Sequence, residues 1–171
     1  VFDVEIMDAL LAKYDWLHLH HEDFTGQYGK FFPSFGHEPW YKQQVAEYES
    51  VAKKYVFTKV SHLKLAVVKK IREYVAGGGF LFAMCSATDT YDIALSAEGL
   101  DICGEVYDGD GQDPSAQNKL NYENCFAFKN FRTSTNPFEY EFSNIDNQPF
   151  ERGLTEQNDY FKLFQFSAKW D

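Results

Sequence analysis

The stretch Gly77-Gly-Gly-Phe-Leu-Phe-Ala-Met-Cys-Ser-Ala-Thr-Asp89 decides the fold. Its three glycines close a preceding helix in the manner of a C-cap, and Phe80 to Met84 is a short, continuously apolar run of the kind that forms a buried strand. Upstream, Ser61 stands where an N-cap would, and Leu65, Val68, Ile71 and Val75 recur at the helical period, which predicts a helix from Leu63 to Val75. Helix, glycine turn and buried strand together read as one unit of an α/β sheet. The strand delivers Cys85 to the turn before the next helix, which is the layout of a nucleophile elbow. A thiol placed there is exposed at the carboxyl edge of the sheet, and the first amides of the following helix lower its pKa and stabilise an oxyanion. Cys85 is therefore the candidate nucleophile, with Ser86 and Ala87 as the elbow and oxyanion positions. The competing reading is a small buried thiol, with Ser86 and Ala87 serving only close packing.

Working outward, Met7 to Lys13 favours a helix, and Tyr14-Asp-Trp-Leu-His-Leu-His20 alternates large side chains as a strand does. Both faces of that strand carry bulk, which predicts an interior parallel strand with helices on each side. It ends in His18-Leu-His-His-Glu-Asp23, three imidazoles and two carboxylates at a strand end, where ligands of open α/β sheets bind. His20 or His21 is the candidate base for Cys85, with Glu22 beside them. A metal reading needs His18 and His20 on one face with a third ligand, and takes His18, His20 and Glu22 of this cluster; no metal is assigned and no cofactor is expected. A long Gly- and aromatic-rich loop follows, Phe24 to Gly36, and places Asp23 and Tyr28, with Asp89 of the elbow turn, among the candidate binding groups.

Trp40 to Tyr55 has helical composition, Tyr91 to Ala97 reads as a short helix closed by Gly99, and Leu100 to Val106 reads as a strand. Asp108-Gly-Asp-Gly-Gln-Asp113 has the alternate carboxylates of a calcium loop, but the twelfth position is Lys119 where a bidentate carboxylate is needed, so a solvated acidic turn is expected. Cys103 and Cys125 have no neighbouring base and read as buried thiols. Of the later apolar segments, Tyr160 to Phe166 alternates and reads as a strand.

The 171 residues suit one domain, and 17 Phe with 11 Tyr supply a sizeable core. Sixteen Lys+Arg against 26 Asp+Glu give a formal charge of -10, which supplies no field for nucleic acid or an anionic membrane surface. No run approaches the roughly 18 apolar residues of a membrane span, so a soluble chain is expected, cytoplasmic or periplasmic. Three widely spaced cysteines make reduced thiols the expectation. The chain opens on Val1 and stops at Trp170-Asp171 after an apolar run. It is read as a single α/β domain over 1–171 that forms an internal piece of a larger domain, with both ends cut.

The segments Tyr14 to Phe31 and Gly77 to Asp89, with Ala97 to Cys103, Tyr107 to Asp110 and Phe166 to Asp171, resemble a bacterial family, found largely in Bacteroidetes, labelled asparagine synthetase B. The N-terminal cysteine and the Gly-rich phosphate loop of true asparagine synthetases have no counterpart here. What the resemblance implies is a class I glutamine-amidotransferase-like domain, similar to trehalose-utilisation proteins. Its fold would be a three-layer, flavodoxin-like α/β arrangement with a mostly parallel sheet. The class motif Gly-x-Cys-x-Gly corresponds to Ala83-Met-Cys-Ser-Ala87, which puts Cys85 at the nucleophile position. The class takes its His and Glu from a later strand end, and no histidine follows His62.

The leading functional expectation is thus a cysteine-dependent amide hydrolase or amidotransferase acting on a small molecule. A catalytically inactive module of the same fold, binding a carbohydrate or metabolite through the His/aromatic loop, stands second. Metal-dependent hydrolysis through the histidine cluster stands third. These 171 residues alone are expected to show no glutamine turnover, because the positioned proton shuttle is worth about 10² to 10⁴ in rate. Oligomeric state is left open.

Overall fold

The computed structural model describes residues 2–145 together with Gly153, Thr155 and Gln157. It is an α/β arrangement built on two parallel strands, β1 (Trp16–Leu19) and β2 (Phe80–Ala83). Trp16 faces Phe80, Leu17 faces Leu81, His18 faces Phe82 and Leu19 faces Ala83. Parallel strands need a long crossover. Here it runs through α2 (Phe32–Phe35), α3 (Pro39–Lys54) and α4 (Val60–Ala76), after an opening helix α1 (Phe2–Met7) and a 3-10 turn over Leu10–Lys13.

Each long helix has a local cause. Pro39 sits in the first turn of α3, where its missing N–H is no loss, and Lys53 and Lys54 lie at the carboxyl end that favours cations. Helix α4 presents Val60, Leu63, Val67, Val68 and Ile71 to the core, the last four fully buried and each worth roughly 1.5 to 3 kcal/mol of burial. Gly77 to Gly79 then turns the chain into β2, and a Cβ on Gly79 would meet the Tyr74 ring at 2.2 Å. The helix begins at Val60 with Lys59 as N-cap, so Ser61 is inside the first turn and caps nothing.

Helix α5 (Ser86–Ser96) leaves β2 and is buried along nearly its whole length, from Asp89 to Ser96. It lies between two cores. One joins Leu19 and Phe24 with the α4 stripe and Tyr91, Ala94 and Leu95; the other joins Ile93, Ala97 and Ile102 with Ala116, Leu120, Phe131 and Phe142. Short helices α6 (Glu105–Asp108) and α7 (Ala116–Lys119) and a 3-10 turn at Tyr122–Asn124 complete the second core.

Three expectations are corrected. Residues 100–104 form no strand, since the Asp101 side chain accepts the Cys103 N–H at 2.9 Å and the chain turns directly into α6. The opening helix ends at Met7 instead of starting there, and Leu10–Lys13 forms a 3-10 turn. The strands are not covered on both sides among the described residues. Leu17, Leu19, Leu81 and Ala83 pack toward the helices, whereas Trp16, Phe80 and Phe82 are 62%, 55% and 43% exposed on the opposite face. The segment Tyr160 to Phe166 lies outside the described residues. Among those residues, no helix is long and apolar enough to cross a membrane.

Candidate functional site

Cys85 joins β2 to α5 with φ 53° and ψ −139°. A side chain rarely tolerates that backbone, and the strain, of order 1 to 3 kcal/mol, persists only where the surroundings enforce it. The enforcement is visible. Met84 N–H donates to Leu19 C=O at 3.0 Å, Ala87 N–H to Met84 C=O at 3.2 Å, and Thr88 N–H to Cys85 C=O at 2.9 Å. Ala83 and Ala87 flank the turn, and Ala87 is fully buried, so strand and helix approach closely. Cys85 itself is exposed. The Ala87 N–H is occupied by Met84, so Ala87 contributes packing instead of an oxyanion donor. Ser86 opens the helix, where a first-turn N–H has no intrahelical acceptor, and it is the donor nearest the thiol in sequence.

The carboxyl end of β1 lies at this same edge, because Leu19 and Ala83 are paired. Thr90 Oγ1 ties the two segments, lying 3.0 Å from Glu22 C=O and 2.6 Å from Ser86 C=O. Cys85 Sγ has no hydrogen-bond partner among the described residues, so neither histidine reaches it as a bonded base. His20 and His21 instead pack edge to face at 3.8 Å, and His18 Nε2 lies 3.3 Å from Met84 Sδ. Neither the set His18, His20, Glu22 nor one with His21 brings three ligand atoms within 4.8 Å of one another.

His20, His21, Glu22, Asp23 and Tyr28 do share a cavity of about 380 Å³, walled on its far side by α1, α3 and α4. Cys85 is not in its wall. The loop that shapes it is held by Asp23, whose carboxylate accepts from Thr25 N–H (2.7 Å), Thr25 Oγ1 (2.6 Å) and Gly29 N–H (2.9 Å). Asp23 is therefore a turn organiser, with both oxygens engaged by its own loop. Gly26, at φ +87°, lies so close to Ser61 that a Cβ would sit 3.0 Å from its side chain, which seats the loop on α4. Burial pushes the Tyr28 phenol well above its ordinary pKa, with Glu49 adding to the shift, so it stays a neutral donor. Asp89 is buried at 2% exposure and accepts from Ser143 Oγ at 3.1 Å, which makes it a support for α5.

No family model, curated protein or solved structure matches this chain.

Several wall residues were not singled out in the sequence: Phe2, Asp3, Gln44, Tyr48 and Lys64. Lys64 had a signal. It stands four residues after Val60 and four before Val68, in the apolar stripe of α4, and a lysine in such a stripe needs a buried partner. That partner is Asp3, 2.7 Å from Lys64 Nζ. The acidic turn is not simply solvated either. Lys59 Nζ lies 2.5 Å from Asp101, 3.1 Å from Asp108 and 2.5 Å from Asp110, the one group of three carboxylates found close enough for a cation among the described residues. Burial opposes the Lys59 charge, but those three bonds outweigh it and hold its pKa above the usual range. The lysine is the cation of that cluster.

Cys103 and Cys125 sit in environments that disfavour the thiolate. Burial pushes the Cys103 thiol far up, and burial with Asp92 nearby pushes Cys125 up to about 12.

Proposed function

We propose that this chain is a cysteine-dependent amide hydrolase or amidotransferase of the class I glutamine-amidotransferase type, on a three-layer flavodoxin-like frame. The backbone of Cys85 carries the reading: an exposed thiol held at positive φ between a parallel strand and the helix that follows it. The open face of Trp16, Phe80 and Phe82 supports the frame, since a three-layer fold covers that face with a second set of helices. In this chemistry the Cys85 thiolate attacks the amide carbonyl and a C–S bond forms. The oxyanion is held by the Ser86 N–H, the C–N bond breaks, the amine leaves with a proton, and water hydrolyses the thioester. His20 or His21, leaving β1 at the same edge, is the candidate proton carrier, with Glu22 beside it. A true asparagine synthetase activity is not part of the proposal.

The test is acylation. Iodoacetamide at neutral pH is expected to label Cys85 well before Cys103 or Cys125, and p-nitrophenyl acetate to leave one acetyl group on Cys85, seen by peptide mass spectrometry and lost in Cys85→Ser. Labelling of Cys85 no faster than Cys125, with no acyl adduct, would reject it. A second reading, a ligand-binding module without catalysis, is favoured by one observation: the cavity gathers His20, His21 and Glu22 but not Cys85.

A further inference from the structure

The cavity beside β1 is walled by groups of which most already satisfy one another. Asp3 is 1% exposed and accepts twice from Lys64, at 2.9 and 2.7 Å. Lys64 in turn lies 4.4 Å over the Tyr48 ring, and both Asp23 oxygens accept from its own loop. Two amide and carboxylate groups of the wall are less engaged. Gln44 Oε1 is buried in the wall and accepts no hydrogen bond among the described residues. The Glu22 carboxylate takes a single bond there, from the His20 N–H at 2.6 Å.

The charge balance points the same way. Asp3, Glu22 and Asp23 face Lys64 and the imidazoles of His20 and His21, and Lys64 is engaged by Asp3, so the permanently charged groups of the wall sum to negative. The tyrosine rings of 28 and 48 stand 6.1 Å apart, and Phe2 and Phe31 complete the apolar lining. Aromatic rings beside unused carbonyl and carboxylate oxygens are the environment in which an ammonium head is held by charged hydrogen bonds and its apolar body by the rings. A volume of about 380 Å³ sits at the small end of the roughly 300 to 1,000 Å³ of small-molecule sites.

We propose that this cavity binds a small organic ammonium ion, its charged head at Gln44 Oε1 and Glu22 and its apolar body against Tyr28 and Tyr48. The site goes beyond the Cys85 chemistry and does not require it, since Cys85 is outside the wall.

Calorimetric titration of the 171-residue chain with benzylammonium, benzyl alcohol, benzoate and methyl glucoside tests it. Benzylammonium is expected to bind, benzyl alcohol at least tenfold more weakly, and benzoate and the glucoside not measurably. Gln44→Met and Glu22→Gln, each checked for folding by circular dichroism, are expected to weaken benzylammonium about tenfold, the loss of one hydrogen bond to a charged group. Binding by none of the four probes, equal or tighter binding of benzyl alcohol, benzoate or the glucoside, or unchanged affinity in both folded variants would overturn the proposal. Failure of Cys85 acylation would leave these outcomes unaffected, so the two readings fail separately.

Discussion

Cys85 is held at a backbone conformation that glycine adopts freely and a side chain does not, because any Cβ is crowded at φ 53°. Alkylation cannot separate an exposed thiol from a strained one, but stability can. Cys85→Gly removes the Cβ and the strain together, whereas Cys85→Ala keeps the Cβ. Urea unfolding is expected to show Cys85→Gly more stable than Cys85→Ala by about 1 kcal/mol, against the usual penalty of glycine for its freer unfolded chain. If Cys85→Ala is the more stable of the two, the elbow is unstrained and the main support for a catalytic thiol is lost. His20 and His21 carry no comparable mark. They are exposed side chains that pack edge to face on each other, with the His18 ring 6.2 Å from that of His20.

At the scale of elements, the loop from Asp23 to Phe31 is the most strongly specified irregular segment. Tyr28, Gly29 and Lys30 succeed one another at φ 52°, 69° and 58°, a left-handed turn in which two of three residues are not glycine. Lys30 secures it from below. It is 4% exposed and donates to Asn136 C=O (3.2 Å) and Glu141 C=O (2.8 Å), fastening the loop to the 134–141 segment. Burial brings its pKa down from 10.5 to about 8, against the opposing pull of Glu139, Asp23, Glu141 and Asp89. Between those values the unfolded chain holds the proton and the folded chain has released it. Lys30 therefore makes stability rise with pH from about 8 toward 10.5, by at most about 1.4 kcal/mol per pH unit. The effect is absent below that window, where both states are protonated. Urea midpoints from pH 7.5 to 9.5 are expected to rise in the native chain relative to Lys30→Met; parallel curves would show that Lys30 titrates normally.

On the scale of the whole molecule, α5 is the strut on which both cores are built. Asp92, buried in its middle, accepts the backbone N–H groups of Phe126 (2.7 Å), Ala127 (2.8 Å) and Phe128 (2.9 Å). Three amides of an irregular segment thus end on one carboxylate, and the Phe126 ring stacks on Tyr91 at 5.5 Å. Asp92→Ala orphans all three amides and is expected to lower stability by about 3 kcal/mol, with loss of hydrogen-exchange protection at 126–128. Asp92→Asn retains one accepting oxygen and is expected to lose less. Unchanged exchange at 126–128 in Asp92→Ala would mean that the second core holds that segment without the helix.

What the residues by themselves determined was the helix–glycine–strand–Cys85 unit and the alternating strand Trp16 to Leu19, because helical period, glycine turn and strand alternation are local properties of the chain. The α/β class followed from that order of elements. Apolar pattern alone did not separate strand from coil at 100–104, where one Asp101 side chain redirects the backbone. Nor did it show that Val60, Leu63 and Val67 face the core in place of Leu65 and Val75, since two overlapping stripes on one helix are told apart only by what packs on them. The candidate site divided in the same way. The strand-to-helix turn at Cys85 was legible because strand, turn and helix are contiguous in the chain. The turn role of Asp23, the Asp3–Lys64 pair and the free oxygen of Gln44 were decided by tertiary structure, because a pair 61 residues apart meets only when α1 packs on α4.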